Sequence, residues 1–126
     1  MTMAQHDGDD DHRQIAALLD RYIDGARSGR SADMHELFHA QSTICGYVGP
    51  DLFAGPIRMF YDWHDGNGPA TGIRVTDTRI DVEGSAASAR IDIDDWTGHR
   101  FTDYFTLVRI DGTWRILGKV FHLHDG

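Results

Sequence analysis

The 126-residue chain is long enough for one domain with a sizeable core, and its 40% hydrophobic share is that of a globular protein. A net charge of −8 disfavours nucleic acid as a partner, because a phosphate backbone selects basic surfaces. No stretch approaches the ~20 apolar residues of a membrane span, no secretory signal is recognisable, and the single cysteine, Cys45, excludes an internal disulfide, so we expect a cytoplasmic protein.

The chain is predicted to begin with an acidic segment that leads into a helix. Apolar residues from Ile15 to Ala26 recur at helical spacing, which predicts an amphipathic helix over about residues 12–27 that ends at Gly29. Residues 1–11, which include three consecutive aspartates, are expected to form a disordered acidic tail. Residues 12–126 are expected to form a single domain.

Two further helices and a short strand are predicted next. A short helix opens at Ser31 or Asp33, and residues 42–48 are typical of a strand. The Gly55–Pro56 pair predicts the start of a third helix, because proline is tolerated at the first helical position. That helix ends at residues 66–69, which are rich in glycine.

The remainder of the chain is predicted to consist of antiparallel strands. Strands are expected over about residues 72–82 and 86–96, followed by a hairpin whose turn is Asp111–Gly112. An Asp-Gly pair between two strand-like runs is a strong hairpin signal. Helices first and consecutive antiparallel strands later are typical of an α+β fold.

The hairpin turn predicts which side chains share a face of the sheet. A two-residue turn places Phe105 opposite Gly118 and Asp103 opposite Val120, with alternate side chains on opposite faces. One face then carries a carboxylate and an imidazole among apolar neighbours: Phe101, Asp103, Phe105, Leu107, Trp114, Ile116, Val120 and His122.

The register extends to the preceding strand if Gly98–His99 is also a two-residue turn. The face of Asp103 then gains Arg90, Asp92, Asp94 and Trp96, whereas a three-residue turn would reverse this assignment. The opposite face would be too apolar to remain in water, with Ala87, Ala89, Ile91, Ile93, Tyr104, Thr106, Val108, Leu117 and Phe121. The helices can cover one face, so we expect a second copy to cover the other in a homodimer through the sheet.

The order of elements resembles a known superfamily. Helices followed by a bent antiparallel sheet, ending in residues 103–107, 111–116 and 119–121, resemble the nuclear transport factor 2-like superfamily, whose SnoaL-like members include cyclases. Within it, the "putative lumazine-binding" family is the most similar. The resemblance implies a conical barrel of N-terminal helices packed on a strongly bent antiparallel sheet.

The resemblance also implies a pocket between the first helices and the concave face of the sheet. Its candidate residues are mostly aromatic, with an acid at the polar end, and the ligand-binding candidates are Phe38, Phe60, Trp63, Trp96, Phe105 and Asp94. The catalytic candidates are Asp103, His122 and Tyr22. Such a pocket suits a flat, mostly apolar heteroaromatic or polyketide-like molecule.

Asp103 and His122 are predicted diagonal neighbours, which suggests an acid/base pair. A carboxylate that orients a histidine can move protons in an isomerisation, dehydration or cyclisation, with the Tyr22 hydroxyl as a further donor. Alternatively, Asp103 binds Arg100 or a loop while His122 faces solvent. His122 and His124 could hold a metal ion, but they equally fit a C-terminal tail, and we predict no metal and no cofactor.

Three functions remain open from the sequence. The first is a small-molecule-binding protein without chemistry, and the second is a cofactor-free isomerase, dehydratase or cyclase. The third is a dimeric interaction module without a ligand, in which side chains would fill the pocket. Fold alone cannot decide among them, because function lies in the site.

Overall fold

The structure, a computed structural model of the chain, describes residues 8–124. Its helices are α1 (Gly8–Ser28), a 3₁₀ helix (Ser31–Leu37) and α2 (Arg58–Asn67). Its strands are β1 (Phe38–Val48), β2 (Asp51–Pro56), β3 (Arg74–Glu83), β4 (Ala86–Trp96), β5 (His99–Ile110) and β6 (Thr113–Leu123). Neither α-helix is both long enough and apolar enough to cross a membrane within this described part.

The strands form one six-stranded sheet in the order β2-β1-β6-β5-β4-β3. The predicted α+β class is confirmed, but the sheet is mixed, since β1 runs parallel to β6 while the other neighbours are antiparallel. Strand β1 begins at Phe38, earlier than predicted, and β2 was not predicted at all. The helices pack on one face of this sheet, which we call the inner face.

Helix α1 begins at Gly8, so Asp9, Asp10 and Asp11 form its first turn. Aspartates at this end interact favourably with the helix dipole. The helix therefore starts about four residues earlier than predicted, and residues 1–7 of the predicted acidic tail lie outside the described residues. The apolar stripe of α1 is buried against the sheet, as its spacing predicts: Ile15, Leu18, Leu19, Tyr22, Ile23 and Ala26.

The Asp111–Gly112 hairpin forms, but a bulge changes its register. Ile110 pairs with Thr113 and Leu107 with Ile116, as predicted, whereas Thr106 pairs with Gly118, which leaves Leu117 as an extra residue. A one-residue slip moves every later side chain to the other face.

The predicted faces of the far half of β6 are therefore wrong. Asp103 lies opposite Phe121, and Phe105 lies opposite Lys119. Lys119 and Phe121 occupy the inner face, while Val120 and His122 are exposed on the outer face.

The register between β4 and β5 also differs from the prediction. The turn residues are Thr97 and Gly98, both with positive φ, and Trp96 pairs with His99. Two central residues with positive φ are typical of the hairpin turns that match strand twist. The turn lies one residue earlier than predicted, which alone would place Asp92 opposite Asp103. A further register shift between Ile93 and Trp96 places Ile91 there instead and reverses the faces of β4.

This shift corrects the predicted composition of both faces. Ala89, Ile91 and Ile93 are buried on the inner face, while the alternate positions Arg90, Asp92 and Asp94 lie on the outer face. The predicted cluster of Asp92 and Asp94 with Asp103 therefore does not form.

Candidate functional site

A cavity of about 110 Å³ lies between α2 and the inner face of the sheet. Its walls are almost entirely apolar, and its two titratable side chains are Lys119 and His99. The lining residues are Ile44, Val48, Phe53, Phe60, Trp63, Trp96, His99, Phe101, Lys119, Phe121 and Leu123.

Packed aromatic rings define the cavity walls. The rings of Phe60 and Trp63 on α2 lie 6.4 Å apart, and each lies 5.9 Å from the ring of Trp96 on β4. The rings of Phe101 and Phe121 lie 5.9 Å apart on neighbouring strands. These distances are in the range at which aromatic pairs stabilise one another, so the walls are held by contacts between rings.

Trp96 lines this cavity, and its indole N–H lacks a hydrogen-bond acceptor within the described residues. Trp96 is 2% exposed, and its Nε1 is buried with no hydrogen-bond partner among residues 8–124. A buried N–H without a partner costs free energy, and most such groups in native proteins find an acceptor.

Lys119 extends from β6 into the aromatic surroundings of the cavity. The residue is 4% exposed, and its Nζ lies 4.7 Å from the ring centroid of Phe60 and 5.1 Å from that of Phe121. Cations at such distances are attracted to aromatic faces. Nζ also donates to Oδ1 of Asp103 at 3.4 Å, a long contact that leaves donor capacity for a ligand.

Asp103 links Lys119 to the first helix. It is fully buried on β5, and its Oδ2 accepts a hydrogen bond of 2.8 Å from the hydroxyl of Tyr22 on α1. Tyr22, Asp103 and Lys119, which we call the buried trio, thus connect α1 to the cavity through one carboxylate. Lys119 lines the cavity, whereas Asp103 and Tyr22 lie behind it.

Burial shifts the titration of the trio. Desolvation lowers the pKa of Lys119, and the neighbouring Asp103 carboxylate opposes this change without cancelling it. Desolvation also raises the pKa of the Tyr22 hydroxyl well above its ordinary value, and the charge and hydrogen bond of Asp103 add to the increase. Lys119 therefore gives up its proton more readily than an exposed lysine, while Tyr22 keeps its proton.

Most of the sequence-predicted site residues lie together. Tyr22 and Asp103 form a direct hydrogen bond, and Phe60, Trp63 and Trp96 line the cavity. Phe38 and Phe105 do not line it, and their rings instead pack against Tyr22 at 6.3 Å and 5.1 Å. These two residues support the trio from behind.

His122 and Asp94 do not join the site. His122 lies on the outer face, where its ring contacts that of His124 at 4.7 Å, so the predicted Asp103–His122 pair is wrong. The reason is the bulge at Leu117, which gives Lys119 the position next to Asp103. Asp94 pairs with Arg74 and Arg100 on the outer face. Within the described range, no three His, Cys, Asp or Glu side chains are grouped to hold a metal ion.

Lys119 was not among the predicted site residues, although the sequence contains a signal for it. It is the only lysine in the chain, and all other strongly basic residues are arginines. It also stands between apolar residues of a predicted strand rather than in a polar loop. Lysine is almost never fully buried unless it is paired, so a lone lysine in an apolar strand is a candidate for a specific contact.

Comparison with known proteins places the chain in a family. The model of the family described as "putative lumazine-binding" matches residues 10–122. The chain belongs to this family. The predicted nuclear transport factor 2-like superfamily is also confirmed, together with its conical α+β fold.

Two similar proteins of known structure are described as having an unknown function, and one curated relative is named as an aldolase. An NTF2-like protein of unknown function from Methylobacillus flagellatus KT is 46% identical, with a TM-score of 0.88 over 91% of this chain and 93% of that one. One from Shewanella baltica OS155 is 36% identical, with a TM-score of 0.89 over 95% and 98%. Aldolase FrzH from Cladobotryum sp. is 26% identical over 121 residues, which cover 95% of this chain and 97% of FrzH.

Proposed function

We propose that this family member is a cofactor-independent enzyme that binds a small, mostly apolar carbonyl compound and promotes aldol-type chemistry on it. The observation that carries the proposal is Lys119, whose buried amino group meets an aromatic cavity with Asp103 behind it. Aldol addition and cleavage both pass through an enol or enolate, whose developing negative charge needs a fixed donor.

Lys119 is suited to activate the carbonyl group. In the encounter complex, its Nζ donates to the carbonyl oxygen of the ligand in the cavity. Donors held in a site that excludes water stabilise a developing oxyanion more than donors in solution. Asp103 holds the amino group in place, and Tyr22 holds Asp103.

The acceptor for the α-proton is assigned to His99. It is the other titratable side chain that lines the cavity, and it is exposed. Histidine is the side chain that most often acts as a general base, and such catalysis typically contributes ~10²- to 10⁴-fold. The exposed position of His99 lets the accepted proton pass to solvent.

The size and chemistry of the cavity favour a small carbonyl compound over a pteridine. About 110 Å³ is smaller than the ~150 Å³ cavity that takes up benzene in another protein, so one small ring or a short branched chain fits. A pteridine such as lumazine carries polar atoms around its rim, and most would face apolar walls without partners. The similarity to a protein named as an aldolase supports the same choice.

Two small probes test the proposed activity. Cyclohexanone reports enolisation through exchange of its α-protons with D₂O, and 4-hydroxy-4-methylpentan-2-one reports aldol cleavage through release of acetone. We expect both reactions, followed by NMR, to exceed the buffer rate with wild-type protein. Lys119→Met should remove the excess, since it leaves the cavity without its amino group. Arg79→Met removes an exposed positive charge from β3 and should leave both rates unchanged.

A binding measurement separates the enzyme from a simple binding protein. Quenching of tryptophan fluorescence should saturate with ketones, because Trp63 and Trp96 line the cavity. Saturable binding without exchange or cleavage would refute the enzymatic proposal and favour a carrier. Tight binding of lumazine or a flavin, with no response to ketones, would refute the choice of ligand class.

We further propose a homodimer through the outer face of the sheet. Register places four exposed apolar side chains there on adjoining strands: Tyr47, Leu52, Tyr104 and Val120, which are 61%, 57%, 48% and 52% exposed. Contiguous exposed apolar patches on a sheet typically mark interaction sites. Light scattering after size exclusion should give a dimer for wild type and a monomer for Val120→Asp, and a wild-type monomer would refute this arrangement.

A further inference from the structure

Lys119 is chemically unique in this protein. It is the only lysine of the chain, so the amino terminus is the one other amine able to condense with a carbonyl compound. Arginine cannot replace lysine in that reaction, because its guanidinium stays protonated. The single amine side chain is thus placed where the proposed ligand binds.

The burial of Lys119 favours a neutral amine. The side chain is almost fully buried, and its desolvation outweighs the attraction of the Asp103 carboxylate for the charged form. Withdrawal from water lowers the pKa of the amino group, and a nucleophilic lysine in proteins is commonly activated in this way. Asp103, 3.4 Å from Nζ, is positioned to accept the ammonium proton.

We infer that Lys119 forms an imine with the carbonyl carbon of the bound compound, so that carbonyl activation in this site is covalent. This inference rests on the proposed function and specifies its chemistry. It assigns Lys119 as a nucleophile, with Asp103 as the residue that positions it and exchanges protons with it.

The reaction balances without an oxidant, a reductant or a metal. The lone pair of Nζ forms a bond to the carbonyl carbon, the π electrons move to oxygen, and a proton passes from nitrogen to that oxygen. The hydroxyl group then leaves as water after protonation, while the second proton of nitrogen is released. The sum is amine plus carbonyl compound giving imine plus water, and Asp103 can carry the transferred proton at each stage.

Asp103 and Tyr22 have a defined task in this sequence. The carboxylate accepts a proton from Nζ and returns it to the departing hydroxyl, so it must be held within reach of the nitrogen. The 2.8 Å hydrogen bond from Tyr22 fixes one carboxylate oxygen and leaves the other toward Lys119. Tyr22 itself keeps its proton throughout, because its pKa is raised.

Reductive trapping tests the inference directly. Wild-type protein is incubated with cyclohexanone and sodium cyanoborohydride, digested and analysed by mass spectrometry. We expect a cyclohexyl adduct at Lys119 that forms at least about tenfold faster than the same adduct in urea-unfolded protein at the same pH, since the folded site holds the ketone beside the amine and burial lowers the pKa of that amine. Lys119→Arg should carry an adduct at the amino terminus alone.

A second measurement does not depend on any variant. Imine formation and hydrolysis replace the carbonyl oxygen with oxygen from water, so wild-type protein should accelerate the loss of ¹⁸O from labelled cyclohexanone. Absence of both the Lys119 adduct and accelerated ¹⁸O loss would overturn the inference. If α-proton exchange still required Lys119 in that case, the proposed function would stand with a non-covalent mechanism.

The experiments also recognise the reverse case, in which the imine forms but the protein does not catalyse the proposed reaction. An adduct and accelerated ¹⁸O loss without α-proton exchange or aldol cleavage would support the imine and refute the enzymatic proposal.

The pH dependence of reductive trapping tests the role of Asp103. Since the Asp103 charge raises the pKa of Lys119, the midpoint of the trapping rate should move to lower pH in Asp103→Asn. An unmoved midpoint would refute this role.

Discussion

Two buried carboxylates tie helix α1 to the sheet, and they differ in what surrounds them. Asp11, 3% exposed, accepts hydrogen bonds from Arg109 at 3.1 and 3.2 Å and from the Trp114 indole at 2.9 Å. Asp103, fully buried, accepts from Tyr22 and, over a longer distance, from Lys119. Only the second carboxylate has a cavity-lining residue among these hydrogen-bond partners.

The two sites differ in their cation, which is Arg109 beside Asp11 and Lys119 beside Asp103. Arg109 keeps its charge at any physiological pH, so the Asp11 site can only hold the first turn of α1 in place. Lys119 can lose its proton and faces the space where a ligand fits. A buried ion pair is by itself weak grounds for stability or function, and the second partner and the neighbouring cavity decide its role.

The same substitution should lower activity at Asp103 and leave it unchanged at Asp11. We expect Asp103→Asn to lower the rate of α-proton exchange on cyclohexanone by ~10²-fold, because a neutral amide can neither accept nor return the Lys119 proton. Asp11→Asn should leave the rate per folded molecule unchanged. Equal losses in the two variants, measured by NMR on protein of verified secondary structure, would remove the distinction between the two sites.

Removal of the Asp11 carboxylate should lower the stability of the fold. Asp11→Ala leaves the Arg109 guanidinium and the Trp114 indole without their shared acceptor. Loss of one partner of a buried pair typically costs 3–5 kcal/mol, and we expect about 3 kcal/mol because Arg109 retains some contact with water. Urea unfolding monitored by circular dichroism measures the change. A loss below about 1 kcal/mol would indicate that the first turn of α1 contributes little to the fold.

Removal of each pair as a unit sharpens the contrast. Asp103→Leu with Lys119→Met and Tyr22→Phe also removes the buried hydroxyl that would lose its acceptor. This triple variant should leave stability unchanged or increase it by about 1–4 kcal/mol, as replacement of a buried ion pair by apolar residues often does. Asp11→Leu with Arg109→Met should still destabilise the protein by about 1–3 kcal/mol, because the Trp114 indole keeps no acceptor there. Comparable unfolding midpoints for the triple and the double variant would contradict this expectation.

The local parts of the fold could be predicted from the sequence. The apolar spacing of α1 and the Asp111–Gly112 turn are both short-range signals, and both elements are present. The pairing of β1 with β6 joins residues more than seventy positions apart in parallel. Local patterns do not encode such contacts. Strand β2 was missed because its Gly55–Pro56 end was interpreted as the start of a helix.

The candidate site was predicted in part, and a single residue explains most of the difference. The family resemblance implied an aromatic pocket, and helical spacing and strand alternation then made Tyr22, Asp103 and three aromatic residues of the cavity candidates for it. Leu117 and Gly118 interrupt that alternation, and a glycine within a strand is a signal for a bulge. Since the bulge reverses the faces of β6, it replaces His122 with Lys119 and Val120 with Phe121 near Asp103.

The smallest expected effect is a difference in how the two sites respond to alkaline pH. Burial lowers the pKa of Lys119 in the folded state, while the unfolded chain titrates at its ordinary value near ~10.5. Between these values the unfolded chain binds the extra proton, so this residue makes the folded state more stable as pH rises. One such group changes the free energy of unfolding by at most about 1.4 kcal/mol per pH unit.

The difference in unfolding free energy between wild type and a variant isolates this effect, because the contributions of the other titrating groups largely cancel in it. The stability of wild type relative to Lys119→Met should increase from pH 8 to pH 10, because only wild type contains the group that regains stability there. The stability of wild type relative to Asp11→Ala should stay constant, since Arg109 keeps its proton over this range. Urea unfolding at each pH measures both differences. A constant difference for Lys119→Met would mean that Lys119 has the same pKa in the folded and unfolded chains. Burial would then not activate its amino group, and the Asp103–Lys119 site could not be distinguished from the Asp11–Arg109 site on this ground.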